Sequence, residues 1–140
     1  MEIRRVTNQA QLEAAFRIRI EVFVEEQGVP QEDELDQYEE EAEHILVYEG
    51  EEPVGTARLR QVEGVAKLER ICLLPAYRAS GYGRQIIAEL ERIASEKGWT
   101  KAKLHAQEQA KGFYAKLGYE PASDVFMEDG IPHLIMVKTL

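Results

Sequence analysis

The residues best suited to chemistry cluster in one run, Leu68-Glu69-Arg70-Ile71-Cys72-Leu73-Leu74-Pro75-Ala76-Tyr77-Arg78-Ala79-Ser80-Gly81-Tyr82-Gly83-Arg84. Gly81 and Gly83, one residue apart, let the main chain turn tightly and expose successive N–H groups. A helix starting just after them adds its unpaired donors and the positive end of its dipole, which together suit a pyrophosphate. Arg78 and Arg84 bracket this cradle and can form charge-assisted bonds to phosphate oxygens. A Walker A loop does not fit, because it ends in Gly-Lys-Ser/Thr and here Gly83 is followed by Arg84-Gln85. The dinucleotide fingerprint needs a third small residue where this chain has Ile86, and a repeated βαβ frame that 140 residues scarcely accommodate. Taken alone, the glycine pair is equally compatible with a structural turn. Cys72 is a potential acyl acceptor, yet its place inside Ile-Cys-Leu-Leu reads as a buried, inert thiol.

The elements that must position these residues follow from periodicity. Met1–Val6 reads as a first strand. Thr7 and Asn8 are helix caps, and Leu12, Phe16, Ile20 and Phe23 recur after them at helical spacing. Gly28-Val29-Pro30 ends that helix and opens an acidic loop. Residues 44–48 and 54–60 are strand-like runs around a hairpin turn, and 67–74 forms a strand with apolar residues on both faces from Ile71 onward. A basic, turn-rich loop (75–83) leads into an amphipathic helix over 84–97, with Ile86, Ile87, Leu90, Ile93 and Ala94 on one face and Gly98 at its end. A strand over 101–107, a short helix over 110–117 and two late strands near 125–127 and 133–138 complete the chain. The order β-α-β-β-β-α-β-α-β-β predicts a mixed α/β sheet with helices on both faces, as one domain over residues 1–140.

Composition narrows the functional classes. The 140 residues are 44% hydrophobic and 31% charged, the balance of a globular chain with its own core. The longest apolar runs, such as Ile45-Leu46-Val47-Tyr48, fall far short of a membrane span, so no membrane partner is expected. Met1–Val6 lacks the apolar stretch of an export signal, and the single cysteine forbids an intramolecular disulfide, which together place the expectation in the cytoplasm. The net charge of -9 disfavours nucleic acid. That charge is uneven: residues 25–44 hold ten carboxylates and no Lys or Arg, and the remaining 16 acids face 17 bases. A nearly neutral body can still hold an anionic cofactor. The acidic stretch reads either as solvated surface or as a lip that attracts a cationic amine.

Arg78-x-x-Gly81-x-Gly83, after a strand and before an amphipathic helix, resembles the acetyl-CoA-binding motif of the GNAT superfamily of N-acetyltransferases. Residues 107–121 (Gln-Glu-Gln-Ala-Lys-Gly-Phe-Tyr-Ala-Lys-Leu-Gly-Tyr-Glu-Pro) are similar to that family's closing segment, Asn-x-x-Ala-x-x-x-Tyr-x-x-x-Gly-Phe. The departures are Gln107 for Asn and Tyr119 for Phe. The first leaves the hydrogen-bonding role of that position open. The two motifs cover most of residues 44–140. Arg19-x-x-Val22-Phe23-Val24-x-Glu26-Gln27-Gly28, His44 and the segment Glu128–Met136 resemble an uncharacterised small bacterial subgroup, which indicates lineage and no substrate.

The resemblance implies transfer of an acetyl group from acetyl-CoA, as co-substrate, to a primary amine by direct attack in a ternary complex. The cofactor would lie on Ile71, Cys72 and Leu73, on the loop Arg78-Ala79-Ser80-Gly81-Tyr82-Gly83-Arg84, and beside Gln107 and Phe113. The Leu73 N–H is the implied donor to the thioester oxygen. Tyr114 would protonate the leaving thiolate, although Phe113 and Tyr114 could also be ordinary packing. A lysine-like amine, with a pKa near 10.4, must lose a proton before it attacks. Glu69 is the first choice of base, with His105 the alternative, on the same strand face as Lys103 and Gln107. His44 and His133 read as structural or pocket-lining. Arg19, Phe23 and Glu26 are the implied acceptor-pocket residues. No metal is expected, the acceptor is a small molecule or a peptide amine, and a homodimer is left open. The competing classes are a non-catalytic acyl-CoA sensor and, by a fainter likeness to acyl-homoserine-lactone synthases, transfer of a longer acyl group.

Overall fold

A computed structural model describes residues 1–79 and 81–140. Eight strands form one mixed sheet: β1 (Glu2–Arg5), β2 (Glu43–Glu49), β3 (Glu52–Val62), β4 (Val65–Leu73), β5 (Lys101–Gln107), β6 (Glu120–Pro121), β7 (Phe126–Glu128) and β8 (Ile131–Thr139). Their order is β1-β2-β3-β4-β5-β8-β6, with β7 also paired to β8. Among the described residues only β4 and β5 run parallel, joined by α3 (Tyr82–Glu96). Helix α1 (Gln9–Arg19) and a wider π-helical continuation, Ile20–Glu26, lead to a short α2 (Gln31–Glu34) inside the stretch expected to be loop. A 3-10 turn and α4 (Lys111–Lys116) follow β5.

The two long helices cover opposite faces because β-strand side chains alternate. Ala14, Ala15, Ile18 and Val22 pack with Leu46, Tyr48 and Cys72 on one face. Ile86, Ile87, Leu90 and Ile93 pack with Ile45, Val47, Leu59, Leu68 and Leu104 on the other. Local chemistry sets the ends. Asn8 Oδ1 accepts from the Gln11 N–H at 2.9 Å while Gln11 Oε1 accepts from the Thr7 N–H at 2.6 Å, a reciprocal cap. Gly98, at φ +81, closes α3, with Trp99 N–H donating to Ala94 O and Gly98 N–H to Ser95 O, the pairing of a Schellman stop. Helix α3 begins two residues before the periodicity suggested, which puts Gly83 inside its first turn. Among the described residues, no helix is long and apolar enough to cross a membrane.

One irregularity positions the site. Between the pairs Thr56↔Cys72 and Arg58↔Glu69, β3 holds one residue and β4 holds two, Arg70 and Ile71. Arg70 takes φ +55, a left-handed conformation rare outside glycine. This bulge bends β4. The β4–β5 register covers Ala66–Leu68 against Ala102–Leu104, and beyond it the strands part into a wedge.

Candidate active site

Hydrogen-bond alternation decides what β4 presents to the wedge. Leu74 N–H donates to Val54 O at 2.9 Å, so residues 72 and 74 turn their main-chain groups toward β3. Those of Ile71 and Leu73 therefore point the other way, into the wedge. The Leu73 carbonyl accepts from Arg78 Nε at 3.0 Å, which leaves the Leu73 N–H facing the opening. Cys72, assigned to the cofactor with its neighbours, pairs its main chain with Thr56 and lies on the wall of the wedge. Its side chain is buried, and burial pushes the thiol up to about 12. No useful thiolate exists at neutral pH, so an acyl-enzyme on this sulfur has no chemical support.

At the rim, Gly81 adopts φ +82 and hands the chain to α3. A Cβ on Gly83 would stand 3.3 Å from Phe113 Cζ, so glycine lets the loop approach that ring. The first N–H groups of α3 have no carbonyl within the helix. Ala79 and Arg84 are exposed here, while Tyr82 stacks on Tyr77 and donates to the Glu49 carboxylate. Ser80, also assigned to this cradle, lies outside the described residues. Arg78 meets Glu26 through two 2.6 Å bonds. A residue assigned to the cofactor and one assigned to the acceptor thus form one exposed ion pair, and neither side chain is idle.

The wedge encloses a cavity of about 330 Å³, whose lining includes Phe23, Leu73, His105, Gln107, Tyr114 and Glu128. Tyr114 reaches it from α4, edge-on to Phe113 and Tyr119 at ring separations of 5.1 and 6.0 Å. Its hydroxyl has no hydrogen-bond partner among the described residues, and burial pushes it up to about 12. A neutral phenol facing a cavity is a proton donor in waiting. Gln107 donates to Gln27 Oε1 at 2.9 Å and accepts from Gln109 at 2.6 Å, so its amide bridges β5 to the end of the π-helical segment.

Glu69 is also at the wall, but its surroundings oppose the role expected of it. Lys67 Nζ, Arg60 Nε and Arg58 Nη2 lie 2.9, 2.8 and 2.9 Å from its carboxylate. Burial raises its pKa, but the hydrogen bond from Arg60 and the charges of Arg58 and Lys67 overcome this and hold it at about 2. Such a carboxylate has little affinity for an amine's proton. His105 is free of this problem: its Nδ1 meets Glu128 at 3.0 Å, and its Nε2 makes no hydrogen bond among the described residues.

Arg19, expected to line the acceptor pocket, does not border the cavity. It is 1% exposed, with Nε 2.9 Å from Glu34 and Nη2 2.7 Å from Glu39. Its basic side chain entered the core with its counter-ions, as a buried guanidinium must. Glu34, Asp36 and Glu39 all turn inward from the acidic stretch, onto Arg19, Arg58 and Arg70. That stretch is therefore neither plain solvated surface nor simply a lip; part of it is a buried ion network. His44 joins it, its Nε2–H donating to Glu39 O at 2.8 Å, and burial lowers its pKa.

The network carries a pH signature. Asp36 is held at about 2 against an ordinary 3.8, with burial opposing and hydrogen bonds from Arg58 and the Tyr38 N–H prevailing. Glu69 is lowered from 4.5 to about 2. A lowered folded pKa means that the unfolded chain binds protons first. Their stabilisation is thus complete above about 4.5 and is lost as pH falls toward about 2. The urea midpoint should fall steadily through that window, and a midpoint constant from pH 6 to pH 3 would contradict the ionised network.

Residues that sequence reasoning did not assign to the site also border it. Glu128 comes from the β7–β8 hairpin, Lys67 and Arg70 from β4, and Gln27 from the segment after the π-helical turns, while His133, read as structural or pocket-lining, borders the cavity as well. Glu128 reaches His105 through the β5–β8 and β7–β8 pairings, which no local pattern in the sequence encodes.

The fold that carries this wedge is shared with known structures. An acyl-CoA N-acyltransferase from Pseudomonas aeruginosa superposes with a TM-score of 0.88 at 26% identity, covering 99% of both chains. The PaiA N-acetyltransferase of Thermoplasma acidophilum, solved with coenzyme A, has the same fold at a TM-score of 0.73 and 19% identity over 100% of both chains. The fold is that of the GNAT acyltransferases. The family model for an acetyltransferase (GNAT) domain matches residues 6–140, and the chain belongs to that family. The Bacillus subtilis protein YyaT is 52% identical over 100% of this chain and 97% of its own.

Proposed function

We propose that this protein transfers an acetyl group from acetyl-CoA to a primary amine of a small molecule or peptide, by direct attack. The observation that carries the reading is the meeting, around one cavity, of Leu73, Tyr114 and His105, the Tyr114 hydroxyl and His105 Nε2 having no hydrogen bond among the described residues. The coenzyme A bound to the Thermoplasma relative supports the donor class. The main chain of Ile71 and Leu73 would hold the pantetheine arm. The turn at Gly81, the N–H groups opening α3, Arg78 and Arg84 would hold the diphosphate, with Gln107 and Phe113 flanking the arm.

His105 would take a proton from the acceptor ammonium at Nε2, and the resulting amine attacks the thioester carbonyl. The Leu73 N–H stabilises the charge gathering on its oxygen. The N–C bond forms, the C–S bond breaks, and Tyr114 protonates the departing sulfur, yielding the amide and free thiol. The attacking nitrogen gives its second proton, through water, to the Tyr114 phenolate, and the imidazolium left behind returns its proton to solvent. Glu69 is reassigned as a counter-charge, because a base must compete for a proton and its three cations prevent that. Phe23 lines the acceptor side, while Glu26 acts on the other substrate, as a competitor for Arg78.

The deciding test is thiol release from acetyl-CoA across a panel of amines. Amine-dependent release is the expected result. Tight cofactor binding with no release on any amine would replace the enzyme by a binding module, and absence of binding would remove both. The Arg78 assignment has its own check. If the diphosphate displaces Glu26, Glu26→Gln should tighten coenzyme A binding about two- to fivefold, the range for an exposed ion pair. Calorimetry showing unchanged or weaker binding would remove Arg78 from the cradle.

A further inference from the structure

We propose that Glu128 is a positioning residue: it fixes the tautomer of His105 so that Nε2, and not Nδ1, faces the incoming amine. This rests on the acyl-transfer reading above. Glu128 ends β7 immediately before Asp129-Gly130, both at positive φ (+52 and +75). Such a turn matches the strand twist and holds a two-residue hairpin tightly. The hairpin carries the carboxylate across β8 to β5, where Oε1 lies 3.0 Å from His105 Nδ1. Its other oxygen lies 3.7 Å from His133 Nε2.

The proton arrangement follows from which atoms can donate. His133 Nδ1 sits 2.7 Å from Ile131 O. A carbonyl only accepts, so that nitrogen carries the hydrogen, and a neutral His133 has a bare Nε2 toward Glu128. It can offer no hydrogen bond there, consistent with the longer separation. His105 is then the donor that satisfies the carboxylate, with its hydrogen on Nδ1 and its lone pair on Nε2. Phe126 restrains both rings, edge-on to His105 at 5.4 Å and stacked on His133 at 6.2 Å. The hydrogen bond from His105 also holds Glu128 below the usual glutamate range, so the carboxylate stays ionised. When His105 takes a proton at Nε2, this anion is in place to stabilise the cation.

The experiment uses the full chain, with its histidine rings labelled with nitrogen-15, at a pH where they are neutral. The wild type should show His105 as the Nδ1–H tautomer, and Glu128→Ala should convert it largely to Nε2–H, the form that free imidazole side chains favour. An Nε2–H ring in the wild type, or an unchanged ring in the variant, would overturn the proposal. This readout needs neither cofactor nor turnover. With an amine that the wild type accepts, Glu128→Ala should also lower kcat about 10- to 100-fold, with coenzyme A affinity unchanged. Unchanged kcat would overturn the positioning role. If the wild type turned over no amine, the acyl-transfer reading would fall while the tautomer result still decided the His105–Glu128 geometry.

Discussion

Tyr114→Phe is expected to lower kcat about 100-fold or more, the loss that accompanies removal of a positioned proton donor, while leaving the dissociation constant of coenzyme A within about twofold. The ring survives the change, so its contacts with Phe113 and Tyr119 persist and only the hydroxyl is lost. That hydroxyl has no protein partner to orphan among the described residues, so stability should hold. Burial keeps the phenol protonated until about pH 12, the state required of an acid. Single-turnover thiol release, measured beside calorimetric affinity, separates the outcomes. Equal losses in affinity and turnover would make Tyr114 a packing residue.

Arg58→Leu is expected to be the most damaging single change to the fold. This side chain, 1% exposed, lies within 3.0 Å of three carboxylates: Asp36, Glu39 and Glu69. Removing one partner from a buried ionic cluster costs about 3–5 kcal/mol, because the charges left behind stay desolvated. Set against a total stability of about 5–15 kcal/mol, that is a large share. Urea and thermal unfolding would measure it. The acid sensitivity described above should also weaken in the variant, since Asp36 loses its strongest hydrogen bonds and Glu69 one of its three cations. A variant as stable as the wild type would mean that the network is no more than a surface arrangement.

These two residues differ in how far they could be read before folding. Tyr114 stands in a patterned segment whose spacing points to its place, and the structure puts it at the cavity. Arg58 and Arg19 looked like a strand arginine and a pocket arginine, and nothing adjacent to them in the chain marks them as core.

The chain order alone pointed to most of the elements and to the glycine turn. A cap such as Asn8, a stop such as Gly98 and the apolar stripe of α3 act over three or four residues, within the reach of local sterics and hydrogen bonding. What only the tertiary structure decided were the pairings. Arg78 meets Glu26 from 52 residues away, His105 meets Glu128 from 23, and the Arg70 bulge opens the sheet on which all of them depend. A charged side chain leaves water only where folding delivers its counter-ion. Whether a given acid becomes a base, a counter-charge or a strut is thus set by neighbours that its own stretch of sequence does not contain.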